Sequence, residues 1–144
     1  MCRSSGLRLF FGRLGFSERE TVALCGAHTL GRHASLLGVS RECLHVAPLT
    51  DACIETGVRL PFVAEDADVF SNSYFRSLLR WYARDLDGSA AFIPTDVVLV
   101  LDPRFRAVVQ AFAADEDAFF AAFSSAYLRL VHLGFGRSGA LLRA

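Results

Sequence analysis

Four histidines, four cysteines and fifteen carboxylates are the side chains through which this chain could hold a metal or move a proton. The cysteines are Cys2, Cys25, Cys43 and Cys53, and no two form a C-x-x-C pair. Cys43, His45 and Cys53 can be drawn together as zinc ligands, but their spacing fits no standard zinc site. His28 stands near the end of a well-marked helical stretch. An imidazole there can ligate a metal or rest in the core, and the residue alone leaves both open. Asp96 follows Pro94 by two residues, so it can cap a short helix or serve a site. His132 falls in a last helical turn, where a cation suits the helix dipole.

The elements that must position these groups are helices. Ser17 followed by Glu20 is a capping box, and a helix is expected from about Glu18 to Arg32. Val22, Cys25, Thr29 and Arg32 share one stripe of it; Leu24, His28 and Gly31 share the next. Residues 34–70 hold Gly38, Pro48, Gly57 and Pro61 and keep no apolar period, so a long, mostly irregular connection is expected there. A helix starts near Asn72 with Phe75, Leu78, Leu79 and Tyr82 on its apolar face, and Asp87-Gly88 marks a turn. A short helix runs from Pro94 through Asp96 to Leu101. Asp102-Pro103 opens another, striped by Phe105, Val108, Val109 and Phe112. The last begins with acidic Asp115, Glu116 and Asp117, is lined by Phe119, Phe120, Phe123 and Tyr127, and stops at Gly134. The expectation is an all-α fold of about five helices in one domain, residues 1–144.

Composition bounds the function. Hydrophobic residues make up 53% of the 144, so a packed core forms without disulfides. Thirteen Phe imply an aromatic core or an apolar cavity. Basic and acidic residues balance at 15 each, which leaves no electrostatic footprint for nucleic acid. Every basic residue is Arg, as a GC-rich coding bias would produce. No run is apolar for long enough to span a bilayer. Residues 1–16 are basic and amphipathic, as a transit peptide is, or else belong to the fold. A place inside the cell is favoured over secretion.

Ser17 to His33 reads SERETVALCGAHTLGRH, with G-A-H-T-L-G-R at Gly26 to Arg32. Phe70 to Phe75 reads F-S-N-S-Y-F; Pro94-Thr95-Asp96 precedes Asp102-Pro103; Ala113 to Phe123 reads A-A-D-x-x-x-F-F-x-x-F. This ordered set, over roughly residues 7–135, resembles the proximal part of the class I haem peroxidases, the group of ascorbate peroxidases and cytochrome c peroxidase. LRLFFGRLGF resembles the family segment just before the capping box, which draws the basic N-terminus into the fold. The resemblance implies the proximal helical domain of the haem-peroxidase fold and haem b as cofactor. It implies that His28 binds the iron through one ring nitrogen while Asp96 accepts a hydrogen bond from the other, fixing the tautomer and making the imidazole a better electron donor. Phe62, Thr29, Gly31 and Arg32 fall at the cofactor side of the motif. The implied reaction reduces hydrogen peroxide with electrons from a small molecule or a protein, in defence against oxidative stress.

The departures from the family narrow this. The P-W motif beside the His–Asp pair is Pro61-Phe62 here, so no indole N–H is available and a ring radical forms less readily. The sole Trp, Trp81, reads as core. The Arg that contacts ascorbate, nine residues past the proximal His, is Leu37 here; Arg32, Arg41 and Arg59 are the nearby substitutes. Thr29 matches one ligand of the plant enzymes' cation, but Val63-Ala64-Glu65 and Ser71 replace the others, so no cation site is expected. The distal R-x-x-W/F-H motif, whose Arg and His do the acid–base work on peroxide, does not occur. The chain thus reads as the proximal half without a distal half, a fragment of a peroxidase. The alternatives are a truncated pseudo-peroxidase that binds haem or a partner without turnover, and a helical module that binds no haem.

Overall fold

The computed structural model describes residues 4–31, 38–39, 54–55, 61–63, 65–85 and 92–134. Six α-helices are found among them: α1 (Ser4–Arg13), α2 (Glu18–Cys25), α3 (Ser73–Tyr82), α4 (Pro94–Leu101), α5 (Pro103–Ala114) and α6 (Glu116–Val131). A 3-10 helix, Gly26–Thr29, continues α2. Two short strands, β1 (Gly38–Val39) and β2 (Ile54–Glu55), pair antiparallel, with Gly38 opposite Glu55 and Val39 opposite Ile54. The architecture is all-α, as expected, with this pairing as a small addition inside the long connection.

The helix starts follow local chemistry. Ser17 Oγ accepts from the Glu20 amide, and the Glu20 carboxylate accepts from the Ser17 amide. Asp102 accepts from the Arg104 and Phe105 amides, with Pro103 at the first helical position. Asp115 accepts from the Ala118 amide and opens α6.

The α-helix expected to reach Arg32 ends at Cys25 and tightens into the 3-10 segment. Gly26 lies against the rings of Phe119 and Phe75, where a side chain would not fit. Gly31 leaves the segment at φ +85°, a left-handed conformation that favours glycine, and its N–H donates to Ala67 O at 2.8 Å. These two glycines set a close approach and a stop, and tertiary packing decides the local helix type. Arg32 lies outside the described residues.

The core gathers one face from each of α2 to α6. Val22, Phe75, Leu78, Leu99, Phe105, Val109, Phe112 and Phe119 are fully buried in one cluster. Phe75, Phe112 and Phe119 form a triangle with ring centroids 4.9 to 5.8 Å apart. Trp81 is buried and meets Phe92 edge-on, a core role.

Helix α1 was not anticipated as an element. It buries none of its own residues fully, and Leu9 and Phe10 stand exposed. Its anchor is Arg8, whose guanidinium donates to both Asp102 oxygens, to Glu18, and lies 4.5 Å over the Phe105 ring. The bidentate bond holds the Asp102 carboxyl well below the usual carboxylate range. Among the described residues no helix is long and apolar enough to cross a membrane. The Cys43–His45–Cys53 group, His33, Leu37, Arg41, Arg59 and the Asp87-Gly88 turn lie outside the described residues.

Candidate functional site

Two chain segments 68 residues apart in sequence bring an imidazole to a carboxylate. His28 projects from the 3-10 segment, and its Nδ1 lies 2.8 Å from Asp96 Oδ1. Asp96 is placed by the start of α4, where Pro94 occupies the first turn and Asp96 the third helical position. Its Oδ2 accepts from the Ile93 amide at 3.1 Å. The two readings of Asp96 therefore hold together: one oxygen caps the helix and the other faces His28.

A third element adds a donor. Tyr74, on α3, donates its hydroxyl to the same Oδ1 at 2.8 Å. Asp96 and Tyr74 are both 0% exposed. Asp96 accepts from Ile93 and Tyr74, so His28 Nδ1 is the donor of its pair, which puts the imidazole lone pair on Nε2. Two rings fix the imidazole plane. Phe62 stacks on it with centroids 4.2 Å apart and planes 11° from parallel, and Tyr74 meets it edge-on at 5.8 Å. The His28 side chain is 34% exposed. Among the described residues no protein group bonds Nε2, so the one free nitrogen of a fixed ring is left for something else.

The electrostatics follow from burial and the carboxylate. Burial alone would lower His28, but the hydrogen bond to Asp96 and its charge outweigh it, and the imidazole titrates above its ordinary value. Burial, and then the Asp96 charge, push the Tyr74 phenol well above its ordinary range, so it remains a donor at any physiological pH. Burial and the same charge push the Cys25 thiol up to about 12, which keeps it protonated and unreactive.

Of the residues singled out from the sequence, His28, Asp96 and Phe62 come together. Thr29 is fully buried and turned elsewhere: its hydroxyl lies 3.1 Å from Ser73 Oγ, which in turn lies 2.7 Å from Ser71 Oγ. Gly31 shapes the chain's exit from the His28 segment and presents no side chain. His132 caps the end of α6, with Nδ1 2.7 Å from Leu128 O. Tyr74 was missed as a site residue. It stood in the F-S-N-S-Y-F motif, and its signal is physical: a buried Tyr hydroxyl needs a partner.

No group of three His, Cys, Asp or Glu side chains among the described residues could hold a bare metal ion. One imidazole in a fixed ring orientation would suit a metal that brings its other donors with it, as a macrocycle does. The residues present fit such a group.

The family described as Peroxidase matches residues 3–115. The chain is 37% identical, over 91% of its length, to a protein of Cryptococcus neoformans named "Putative heme-binding peroxidase", covering 37% of that protein. It is 37% identical over 89% of its length to the mitochondrial cytochrome c peroxidase of Emericella nidulans, covering 34% of it. It is 37% identical over 90% of its length to the cytosolic L-ascorbate peroxidase 2 of Arabidopsis thaliana, covering 42% of it. The chain spans between 34% and 42% of the length of these relatives. With the family match running over most of the chain and the His–Asp pair formed where the motifs place it, the chain belongs to the peroxidase family, among the class I haem peroxidases.

Proposed function

We propose that this chain is the proximal, cofactor-holding half of a haem peroxidase that reduces hydrogen peroxide with electrons from a small-molecule or protein donor, in defence against oxidative stress. The observation that carries the reading is the His28 ring, bonded through Nδ1 to a buried carboxylate and stacked by Phe62, with no bond to Nε2 among the described residues. The cofactor would be haem b, with Nε2 of His28 as the protein atom that would hold its iron. When bound, haem iron supplies the redox chemistry of peroxide cleavage.

The chain's own residues do the rest. Asp96 draws on the Nδ1 proton, which enriches Nε2 and holds the ring at one angle. Phe62 covers one face of the imidazole and keeps water from it. Its side chain has no N–H to offer Asp96. Of the family motif, Gly31 turns the chain away from the ligand, and Thr29 braces it from inside through Ser73. Acid–base work on peroxide needs a further side chain that can take and return a proton. The R-x-x-W/F-H motif that supplies it in the family does not occur in this sequence, so turnover needs those groups from a distal half.

Haem titration of the purified chain tests the reading. The wild type is expected to develop a sharp Soret band that saturates near one equivalent. His28→Ala is expected to lose that band or bind at least ~10-fold more weakly, as removal of the axial ligand requires. No band in the wild type, or the same titration in both, would overturn the proposal.

The pH dependence has a definite sign. Axial ligation needs neutral imidazole, and His28 titrates above its ordinary 6.5. Protonation of Nε2 competes with ligation, so haem affinity is expected to weaken as pH falls through the raised value of the haem-free imidazole. In the haem-free chain the sign reverses: stability from the charged pair is full below the unfolded value and is lost as pH rises through the folded one. Soret spectra against pH check the first statement. Asp96→Asn is expected to retain haem and move the acid transition to lower pH; a transition that stays in place contradicts the argument.

A further inference from the structure

We propose that Tyr74 is a positioning residue for the His28 ligand: by donating to the oxygen that also holds His28, it sets how strongly Asp96 pulls on the imidazole proton. The inference rests on the reading of His28 as the haem ligand.

The geometry is a convergence on one atom. Asp96 Oδ1 accepts from Tyr74 and lies 2.8 Å from each of the Tyr74 hydroxyl and His28 Nδ1, while Oδ2 is occupied by the Ile93 amide. All of this is sealed from water on the carboxylate side, since Asp96 and Tyr74 are fully buried. In so dry a place hydrogen bonds to a carboxylate are strong and depend on one another. Each donor on Oδ1 draws charge from it and leaves less for the other. Tyr74 therefore competes with His28, and the competition reaches the free nitrogen through the ring.

The arrangement also fixes direction. Ile93 holds one carboxylate oxygen from the α4 backbone and Tyr74 holds the other from α3. The carboxylate plane is pinned by two elements before His28 is considered. The Phe62 side chain has no N–H or O–H, so its stacking sets the ring's tilt and cannot take the place of the Tyr74 hydroxyl.

The test is the ferric–ferrous midpoint potential of the haem-loaded chain. Tyr74→Phe frees Oδ1, strengthens its pull on His28 and is expected to shift the equilibrium several-fold towards ferric iron, a negative shift in potential. Asp96→Asn is expected to shift it the other way, and Tyr74→Phe added to Asp96→Asn is expected to change little. A merely structural Tyr74 would lower stability and leave the potential unmoved, and that result overturns the inference. Should Tyr74→Phe fold poorly, 3-fluorotyrosine placed at position 74 keeps the packing and donates more strongly. It is expected to shift the potential positively, and no shift there overturns the inference too. The two readings fail separately. A wild-type Soret band independent of His28 defeats the haem-ligand assignment and this inference with it. A His28-dependent band with a potential that ignores position 74 defeats only this one.

Discussion

Asp96→Ala is expected to destabilise the haem-free chain by about 3 kcal/mol, seen as a lower urea midpoint at unchanged slope. The expectation follows from what the carboxylate holds. It accepts from the Tyr74 hydroxyl, the Ile93 amide and His28 Nδ1. The Tyr74 hydroxyl is fully buried, so truncation leaves it without an acceptor, at a cost of roughly 1–3 kcal/mol. The start of α4 loses the side chain that ties down Ile93, a further cost of about 0.5–1 kcal/mol. Loss of the bond to His28 adds less, because that side chain is 34% exposed. Removing a buried carboxylate relieves part of its own desolvation, which keeps the total from being larger. Asp96→Asn keeps the shape and one acceptor, so its effect is expected to be smaller. A loss below about 1 kcal/mol for Asp96→Ala would show that the carboxylate is not the knot between α3, α4 and the His28 segment.

Gly26→Ala is expected to be as damaging from the opposite direction. A Cβ at Gly26 would meet the Phe119 ring at 2.5 and 2.8 Å and the Phe75 ring at 2.8 Å, inside van der Waals contact. Neither ring can swing away freely. Both are wholly buried, and Phe112 packs against them at 5.3 and 5.8 Å. Overpacking of this kind costs about 1–3 kcal/mol, and the backbone must move to relieve it. Gly26 opens the segment that carries His28, so that movement pulls Nδ1 away from Asp96. The expected result is a lower urea midpoint together with weaker haem binding. Gly12→Ala is the control: nothing lies within 4 Å of a Cβ there, and an alanine inside α1 is expected to be neutral or slightly stabilising. Equal stability for Gly26→Ala and Gly12→Ala would contradict the packing argument.

These two sites also mark how far the sequence could be read. Helix starts were legible because their signals are local. Ser17 with Glu20, Asp102 and Asp115 satisfy amides within three residues, Pro94 and Pro103 preset the first turn, and each start opens a helix in the structure. The end of α2 was not legible. Its periodicity runs on to Arg32, and what stops it is a ring from α6 pressed against Gly26 and a bond from Gly31 to Ala67. Helix α1 lacked a signal for a similar reason. Its place depends on Arg8 reaching Asp102, 94 residues away. The two-residue pairing of β1 with β2 is too short to carry a pattern.

Within the site, His28, Asp96 and Phe62 were legible through motifs in a recognisable order, though nothing in their spacing requires them to touch. Tyr74 had no comparable signal: its ring is core, and only its hydroxyl reaches the site. Thr29 shared the motif with His28 yet turns inward, since one residue along a 3-10 helix rotates a side chain by about a third of a turn.

The iron–imidazole stretching vibration, read by resonance Raman on the reduced, haem-loaded chain, addresses the ligand and its partner at once. The band should be present in the wild type, vanish in His28→Ala, and fall in frequency in Asp96→Asn as the carboxylate's pull is removed. A band that survives without His28, or that Asp96→Asn leaves where it was, would contradict the account.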